Sequence, residues 1–72
     1  MPEASADMRA IADQIKKARE AAGWSQHELA DRAGVSRPSV ARVEAGGDVN
    51  TVTLRKIAEA LGLSLHVGSY EG

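Results

Sequence analysis

The residues of this 72-residue chain whose chemistry stands out are the arginines of its middle section. Residues 32–56 hold five basic side chains against Glu44 and Asp48, a net charge of +3, although the whole chain carries only −1. Arg37 and Arg42 belong to this basic stretch. A local basic stretch within a neutral protein favours a partner-facing surface, and the alternative interpretation is an ordinary solvated face.

Catalytic and metal-binding chemistry finds little support in the residue types. The chain has no cysteine, which excludes disulfides, thiolate metal sites and cysteine nucleophiles. His27 and His66 are far apart and lack a matching carboxylate spacing, so a metal site is not predicted. Neither a Gly-x-Ser-x-Gly motif nor a glycine-rich phosphate loop occurs in the sequence. We therefore expect a binding module that is not an enzyme and needs no cofactor.

Glycines divide most of the chain into four segments in which apolar residues recur at three- and four-residue spacing. The predicted helices span residues 7–22, 26–33, 36–45 and about 50–61. Ser25 with Glu28 has the spacing of a capping box, Ser36 is a good cap for the third helix, and Asn50 or Thr51 caps the fourth. A chain this short builds one core, so we predict an all-α fold with one domain at residues 7–62 after a disordered N-terminus at residues 1–6. No segment resembles a membrane span or a secretory signal, which predicts a cytoplasmic protein without a membrane partner.

The second and third segments meet the requirements of a helix-turn-helix, in which two short helices flank a glycine-containing turn. Ala30 is small enough to let the helices approach where they cross, and Gly34 accepts the positive φ that the turn needs. The apolar residues that fill the space between these helices and the core are Leu29, Ala33, Val35, Val40 and Val43. The outer face of the third helix is then left to Arg37, Pro38, Ala41 and Arg42.

The spacing of the apolar residues changes from a helical period to a period of two after Gly62. Leu63, Leu65 and Val67 alternate with small or polar residues, which predicts a short strand. The chain offers this strand no partner, and an unpaired edge strand is a liability in water. We therefore expect residues 63–72 to form a C-terminal dimerisation strand and tail, with two copies paired across a two-fold axis. The alternative is a disordered tail and a dimer formed through the fourth helix.

Two sequence runs carry a family resemblance, WSQHELADRAGVSRPSVARVEAG at residues 24–46 and TLRKIAEALG at residues 53–62. With these runs the chain resembles the Cro/CI-type (XRE) helix-turn-helix family over about residues 8–62. The resemblance implies a compact four-helix, lambda-repressor-like domain that binds palindromic double-stranded operator DNA as a homodimer and regulates transcription, usually by repression. It also implies a partly buried salt bridge between Arg19 and Glu44 that joins the first and third helices.

The resemblance further implies which residues contact DNA. They are Gln26, Ser36, Arg37, Pro38, Ser39, Arg42, Asn50 and Thr51. Arg37 and Arg42 match positions that reach base edges, where an arginine favours guanine, and Gln26 matches a residue that contacts phosphate and braces the third helix. Pro38 departs from the polar residue common at its position and is restricted to contact with a thymine methyl. Trp24, just before the second helix, is predicted to anchor the core, with base stacking as the alternative.

Two functions remain open at this point. The first is a sequence-specific DNA-binding repressor. The second follows from the tail LSLHVG, which is similar to the tail of HipB-type antitoxins, where each subunit gives one strand to an intersubunit sheet. Such a protein binds and neutralises a toxin and regulates its own operon. A neighbouring gene for a toxin would discriminate the two.

Overall fold

A computed structural model describes residues 2–63 of the chain, with side chains from Met8 onward. This part of the chain forms four α-helices and no strand. They are α1 (Pro2–Ala21), α2 (Gln26–Ala33), α3 (Arg37–Glu44) and α4 (Thr51–Ala60). The all-helical fold is confirmed for residues 2–63, whereas Leu65 and Val67 of the predicted strand lie outside them. None of the four described helices is both long and apolar enough to cross a bilayer.

The first helix begins earlier than its apolar pattern predicts. Residues 2–6, expected to be disordered, belong to α1. Pro2 is tolerated in a first turn, because the N–H that proline lacks would have no intrahelical acceptor there. Ala4 and Ala6 have the highest helix propensity of any residue type. The sequence pattern missed this stretch because small and polar residues carry no apolar period of 3.6 residues.

Side-chain oxygens cap the N-termini of the other three helices. The capping residues are Ser25 for α2, Ser36 for α3 and Asn50 for α4. Each accepts a hydrogen bond from the backbone N–H three residues along, at 3.0, 3.2 and 2.8 Å. The capping box predicted at Ser25 is half formed, because the Glu28 carboxylate accepts a hydrogen bond from Arg32 instead. Three of the four helix starts are therefore determined by local sequence.

A glycine follows the last turn of each described helix. These glycines are Gly23, Gly34, Gly46 and Gly62, with φ between 71° and 85°. After α2, the Gly34 N–H donates to the Asp31 carbonyl and the Val35 N–H donates to the Ala30 carbonyl. The left-handed backbone at Gly34 (φ 72°, ψ 34°) reverses the chain. Only Val35 and Ser36 then separate it from α3, which gives the short turn of a helix-turn-helix.

The core lies where α2 contacts α3 and α4 and where α1 covers α3. Its fully buried large side chains are Ile15, Leu29, Val40, Val43 and Ile57. Burial of each such side chain stabilises the fold by about 1.5–3 kcal/mol relative to exposure. Ala30 is buried, as expected for a small residue on a helix that other helices approach closely, and Trp24 packs against the edge of the core.

Leu63, the first residue of the predicted strand, closes the end of α4. Its N–H donates to the Ala58 carbonyl at 2.9 Å, and its side chain packs against the core cluster. Backbone hydrogen bonding of this kind belongs to a helix terminus. The alternating row of the sequence therefore starts from a residue that is already part of the domain.

Gly34→Ala tests the turn between α2 and α3. A Cβ atom at Gly34 would meet no atom within 4 Å, so any loss of stability comes from the left-handed backbone and not from a clash. We expect a cost of about 1–2 kcal/mol and a fall in melting temperature of roughly 4–8 °C for each kcal/mol in a domain of this size. Gly34→Asn is the control and should lose less, because asparagine tolerates this conformation. Equal melting temperatures for the parent and the alanine variant would contradict a left-handed backbone at Gly34.

Candidate nucleic-acid interface

Burial of two valines orients α3 so that its opposite, outer face is exposed to solvent. Val40 and Val43 are fully buried, so the residues between and before them point away from the core. Arg37, Pro38 and Arg42 are exposed. The face predicted from the sequence is thus brought together on one short helix, with a guanidinium near each end.

The serines at the start of α3 bond to each other. The Ser36 hydroxyl oxygen lies 2.9 Å from the Ser39 hydroxyl oxygen, and it also accepts from the Ser39 N–H. One of the two hydroxyl protons is used in this contact, which leaves the other free to donate to a partner. The pair lies beside Arg37 and Pro38 in the first turn of α3.

Gln26, the first residue of α2, forms hydrogen bonds with residues at both ends of α3. Its side-chain Nε2 donates to Glu44 Oε1 at 3.1 Å, and its Oε1 accepts a long hydrogen bond of 3.4 Å from Arg37 Nη1. The orientation of the amide follows from these partners, because only the NH₂ group can donate to a carboxylate and only the oxygen can accept from a guanidinium. Gln26 therefore acts as a brace between the two helices.

The Glu44 carboxylate lies at the centre of this network. Arg19 Nε donates to Glu44 Oε2 at 2.6 Å and Arg19 Nη2 donates to Glu44 Oε1 at 3.0 Å, a bidentate pair. Only 12% of the Arg19 side chain and 4% of the Glu44 side chain are exposed. Arg19 Nη1 also donates to the Trp24 carbonyl at 2.7 Å. The ion pair thus joins α1, the loop before α2, and the end of α3.

The electrostatics of the pair keep Arg19 charged. The hydrogen bond to Glu44 is the main cause that raises the pKa of Arg19 above its ordinary value, and burial opposes this shift. A raised pKa means that the stabilisation is fully present at every pH below the ordinary guanidinium pKa and is lost only as the pH rises beyond it. The contribution of Arg19 is therefore constant over the physiological range.

Asn50 and Thr51 lie at the start of α4 and are separate from the network around Glu44. The Asn50 Oδ1 accepts from the Thr53 N–H, so its amide NH₂ group is left to donate outward. Thr51 is exposed, and the first turn of α4 carries no acidic residue. Within residues 8–63, no side-chain hydrogen bond connects either residue to α3.

The arginines of the basic stretch differ in whether their guanidinium groups have partners within the domain. Arg32 lies 4.4 Å from the centroid of the Trp24 ring, and its Nε donates to Glu28 at 2.7 Å. Its charge is thus used within the domain. Arg32 belongs to the basic stretch for which the sequence leaves a partner-facing surface or a solvated face open, although its four-residue spacing from Glu28 is the signal of an ion pair along a helix. Within residues 8–63, the Arg42 guanidinium has neither a hydrogen bond nor an ion pair.

Two further observations concern metal ligands and a surface groove in the described part of the chain. Between residues 8 and 63, no three His, Cys, Asp or Glu side chains come together as metal ligands do. A groove of about 270 Å³ between α1 and the end of α3 is lined by Arg9, Asp13, Lys16, Glu44 and small residues, and it contains no serine, threonine or cysteine. The exposed guanidinium groups of Arg37 and Arg42 can donate hydrogen bonds to anionic or acceptor-rich partners.

A family model described as helix-turn-helix matches residues 15–67. The match includes the whole of α2, α3 and α4 and the last seven residues of α1. No curated protein matches the chain.

A comparison of two isosteric substitutions tests the importance of the Glu44 network. Glu44→Gln leaves Arg19 buried without a counter-charge, and we expect it to lower the free energy of unfolding by about 3 kcal/mol. Glu28→Gln is the control, since the Arg32–Glu28 pair has nearly the same N···O distance, 2.7 Å, but side chains that are 52% and 46% exposed. It should cost less than about 1 kcal/mol. Urea unfolding at unchanged m-value measures both, and two small, equal losses would refute the assigned role of Glu44.

Proposed function

Because the chain belongs to the XRE-type helix-turn-helix family of DNA-binding transcription regulators, we propose that it is a repressor that binds a palindromic operator as a homodimer. In this proposal α3 enters the major groove. The observation that carries it is the outer face of α3, where Arg37 and Arg42 are exposed above two fully buried valines.

Arg42 is the principal base reader in this proposal. Its guanidinium has no protein partner among residues 8–63, so no internal hydrogen bond has to be broken before it meets DNA. An arginine in the major groove can donate two hydrogen bonds to O6 and N7 of guanine. Arg37 is held only by the long, exposed hydrogen bond to Gln26, which it can exchange for a base contact. Pro38 has no donor and contributes at most an apolar contact with a thymine methyl.

Phosphate contacts position the domain on the duplex. Gln26 uses one amide proton on Glu44 and keeps a second for a phosphate oxygen. Asn50 and Thr51 lie at the N-terminus of α4, where unpaired N–H groups and the helix dipole favour an anion. Ser36 and Ser39 share one hydroxyl hydrogen bond and can donate the remaining proton to a phosphate or a base edge. Those of these contacts that go to phosphate surround the base-reading face without carrying sequence information.

The dimer rests on the sequence of the tail. Leu63 already packs at the edge of the core, and Leu65 and Val67 continue its apolar row. Pairing of this row with its copy across a two-fold axis would satisfy the backbone of both strands and add burial to a domain of marginal size. A two-fold dimer places two recognition helices one DNA turn apart, roughly 34–36 Å, and so reads a palindrome.

An antitoxin is the second candidate, and the similarity of the tail to HipB-type antitoxins favours it. This function includes the same DNA-binding activity and adds a toxin as protein partner. The two candidates differ in whether a neighbouring gene encodes a protein that forms a complex with this one.

Arg42→Ala tests the assignment of α3 as the reading helix. With duplexes selected by the parent protein from a random pool, we expect the variant to lose about 1–3 kcal/mol of binding free energy and its preference at one base pair. Parent affinity should fall linearly with the logarithm of salt concentration, with a slope of about −0.9 per phosphate contact, and the variant should keep most of that slope. Fluorescence anisotropy measures both quantities.

Arg32→Ala is the matched control for that experiment, because it removes an exposed arginine whose charge is engaged by Trp24 and Glu28. It should leave the base preference unchanged. If Arg42→Ala bound the selected duplexes with parent affinity and parent base preference, α3 would not be the reader.

Deletion of residues 64–72 tests the dimer. The truncation keeps Leu63, whose N–H and side chain close α4, so the domain should still fold. We expect a monomer that binds a half-site normally but a full palindromic duplex far more weakly. Sedimentation of the truncated and full chains gives the oligomeric state. A truncated dimer of undiminished affinity would assign the interface elsewhere, with the fourth helix as the first alternative.

A further inference from the structure

Gly47 lies directly against the stem of Arg42. A Cβ atom built at Gly47 would come within 2.9 Å of Arg42 Cγ, 3.2 Å of the Arg42 carbonyl oxygen and 3.7 Å of Arg42 Nε. Real carbon atoms do not approach to 2.9 Å, so any residue other than glycine would force the Arg42 side chain to move. The contact involves Cγ, the first atom whose position χ1 determines.

The need for glycine at this position does not come from its own backbone. The glycines with positive φ in residues 2–63 are Gly23, Gly34, Gly46 and Gly62, and Gly47 is not among them. Gly47 is placed by the end of α3, where its N–H donates to the Arg42 carbonyl at 2.9 Å and the Gly46 N–H donates to the Val43 carbonyl. This pair of hydrogen bonds folds the chain back over the last turn of the helix.

We propose that Gly47 is a positioning residue for base recognition by Arg42. The inference rests on the function proposed above. Because residue 47 has no side chain, Arg42 can keep its present rotamer, in which Cγ and Nε lie beside Gly47. Rotation of χ1 to another staggered position would carry the guanidinium several ångströms away from its base. Gly47 thus contributes to sequence preference without a DNA contact of its own.

A double-mutant cycle tests the proposal with Gly47→Ala, Arg42→Ala and the combined variant. The probes are a duplex selected by the parent protein from a random pool, its version substituted at the base pair that Arg42 recognises, and a non-specific duplex. Gly47→Ala should lower affinity for the selected duplex by about three- to thirtyfold, less than the roughly 5- to 150-fold loss expected for Arg42→Ala. It should also reduce discrimination against the substituted duplex and leave non-specific binding unchanged.

The combined variant gives the decisive comparison. With Arg42→Ala in place the Cγ contact no longer exists, so addition of Gly47→Ala should change affinity by less than about twofold. An equal loss in both backgrounds would mean that Gly47 acts through close approach to the DNA backbone, which overturns the proposal. An effect of Arg42→Ala without any effect of Gly47→Ala overturns it while the proposed function stands. No effect of Arg42→Ala overturns the proposed function and this inference together.

Gly46→Ala is the control for stability. Gly46 has a φ of +85°, and a Cβ atom there would lie 3.8 Å from Arg9 and would not reach Arg42. This variant should melt at a lower temperature but keep the parent base preference. In the unaltered protein, a nuclear Overhauser contact between the Gly47 Cα protons and the Arg42 Cγ protons gives a readout that requires no variant to fold. We expect that contact, and its absence would overturn the proposal.

Discussion

The rest of the structure depends on the ion pair between Arg19 and Glu44. Glu44 is the last residue of α3, and its carboxylate accepts from Arg19 on α1 and from Gln26 on α2. Arg19 also bonds to the Trp24 carbonyl, which places the loop before α2. A buried charge without its partner is costly, so the pair is stable only when all these elements are in position. The orientation of α3 therefore depends on the positions of α1, α2 and the loop between them.

The apolar core supplies stability without the same specificity. Each of α2 and α3 has only eight residues, and helices of that length are marginal in isolation. Their caps set where they start and end, while burial of Leu29, Val40 and Val43 holds them together. Apolar contacts are non-directional, whereas the bidentate ion pair has a defined geometry. The two together explain how so small a domain holds the outer face of α3 in one orientation.

Arg32, Arg37 and Arg42 carry the same charge but differ in their contacts within the domain. Arg32 is stacked on Trp24 and paired with Glu28, and Arg37 is weakly held by Gln26. Arg42 has no polar partner within residues 8–63, and its stem lies against Gly47. A side chain without internal hydrogen bonds gives up none when it meets a base, and a packed stem reduces the rotamer entropy lost on binding. The proposed base-reading role of Arg42 therefore rests on the geometry of its side chain and not on the net charge of the stretch.

Local sequence signals predict α2, α3, α4 and the turn, whereas they miss the first residues of α1, which carry no apolar period. Gly34 accepts the left-handed backbone, and Ser36 caps α3 through a bond to a residue three positions away. Contacts between residues distant along the chain become visible only in the folded domain, such as the hydrogen bond of Gln26 with Glu44 and the packing of Leu63 against the core. Gly47 and Arg42 are close along the chain, yet composition and periodicity do not reveal their contact either, because neither encodes the separation between a missing side chain and its neighbour. Spacing reports which face a residue occupies, but the distance between two side chains exists only after the helices have packed.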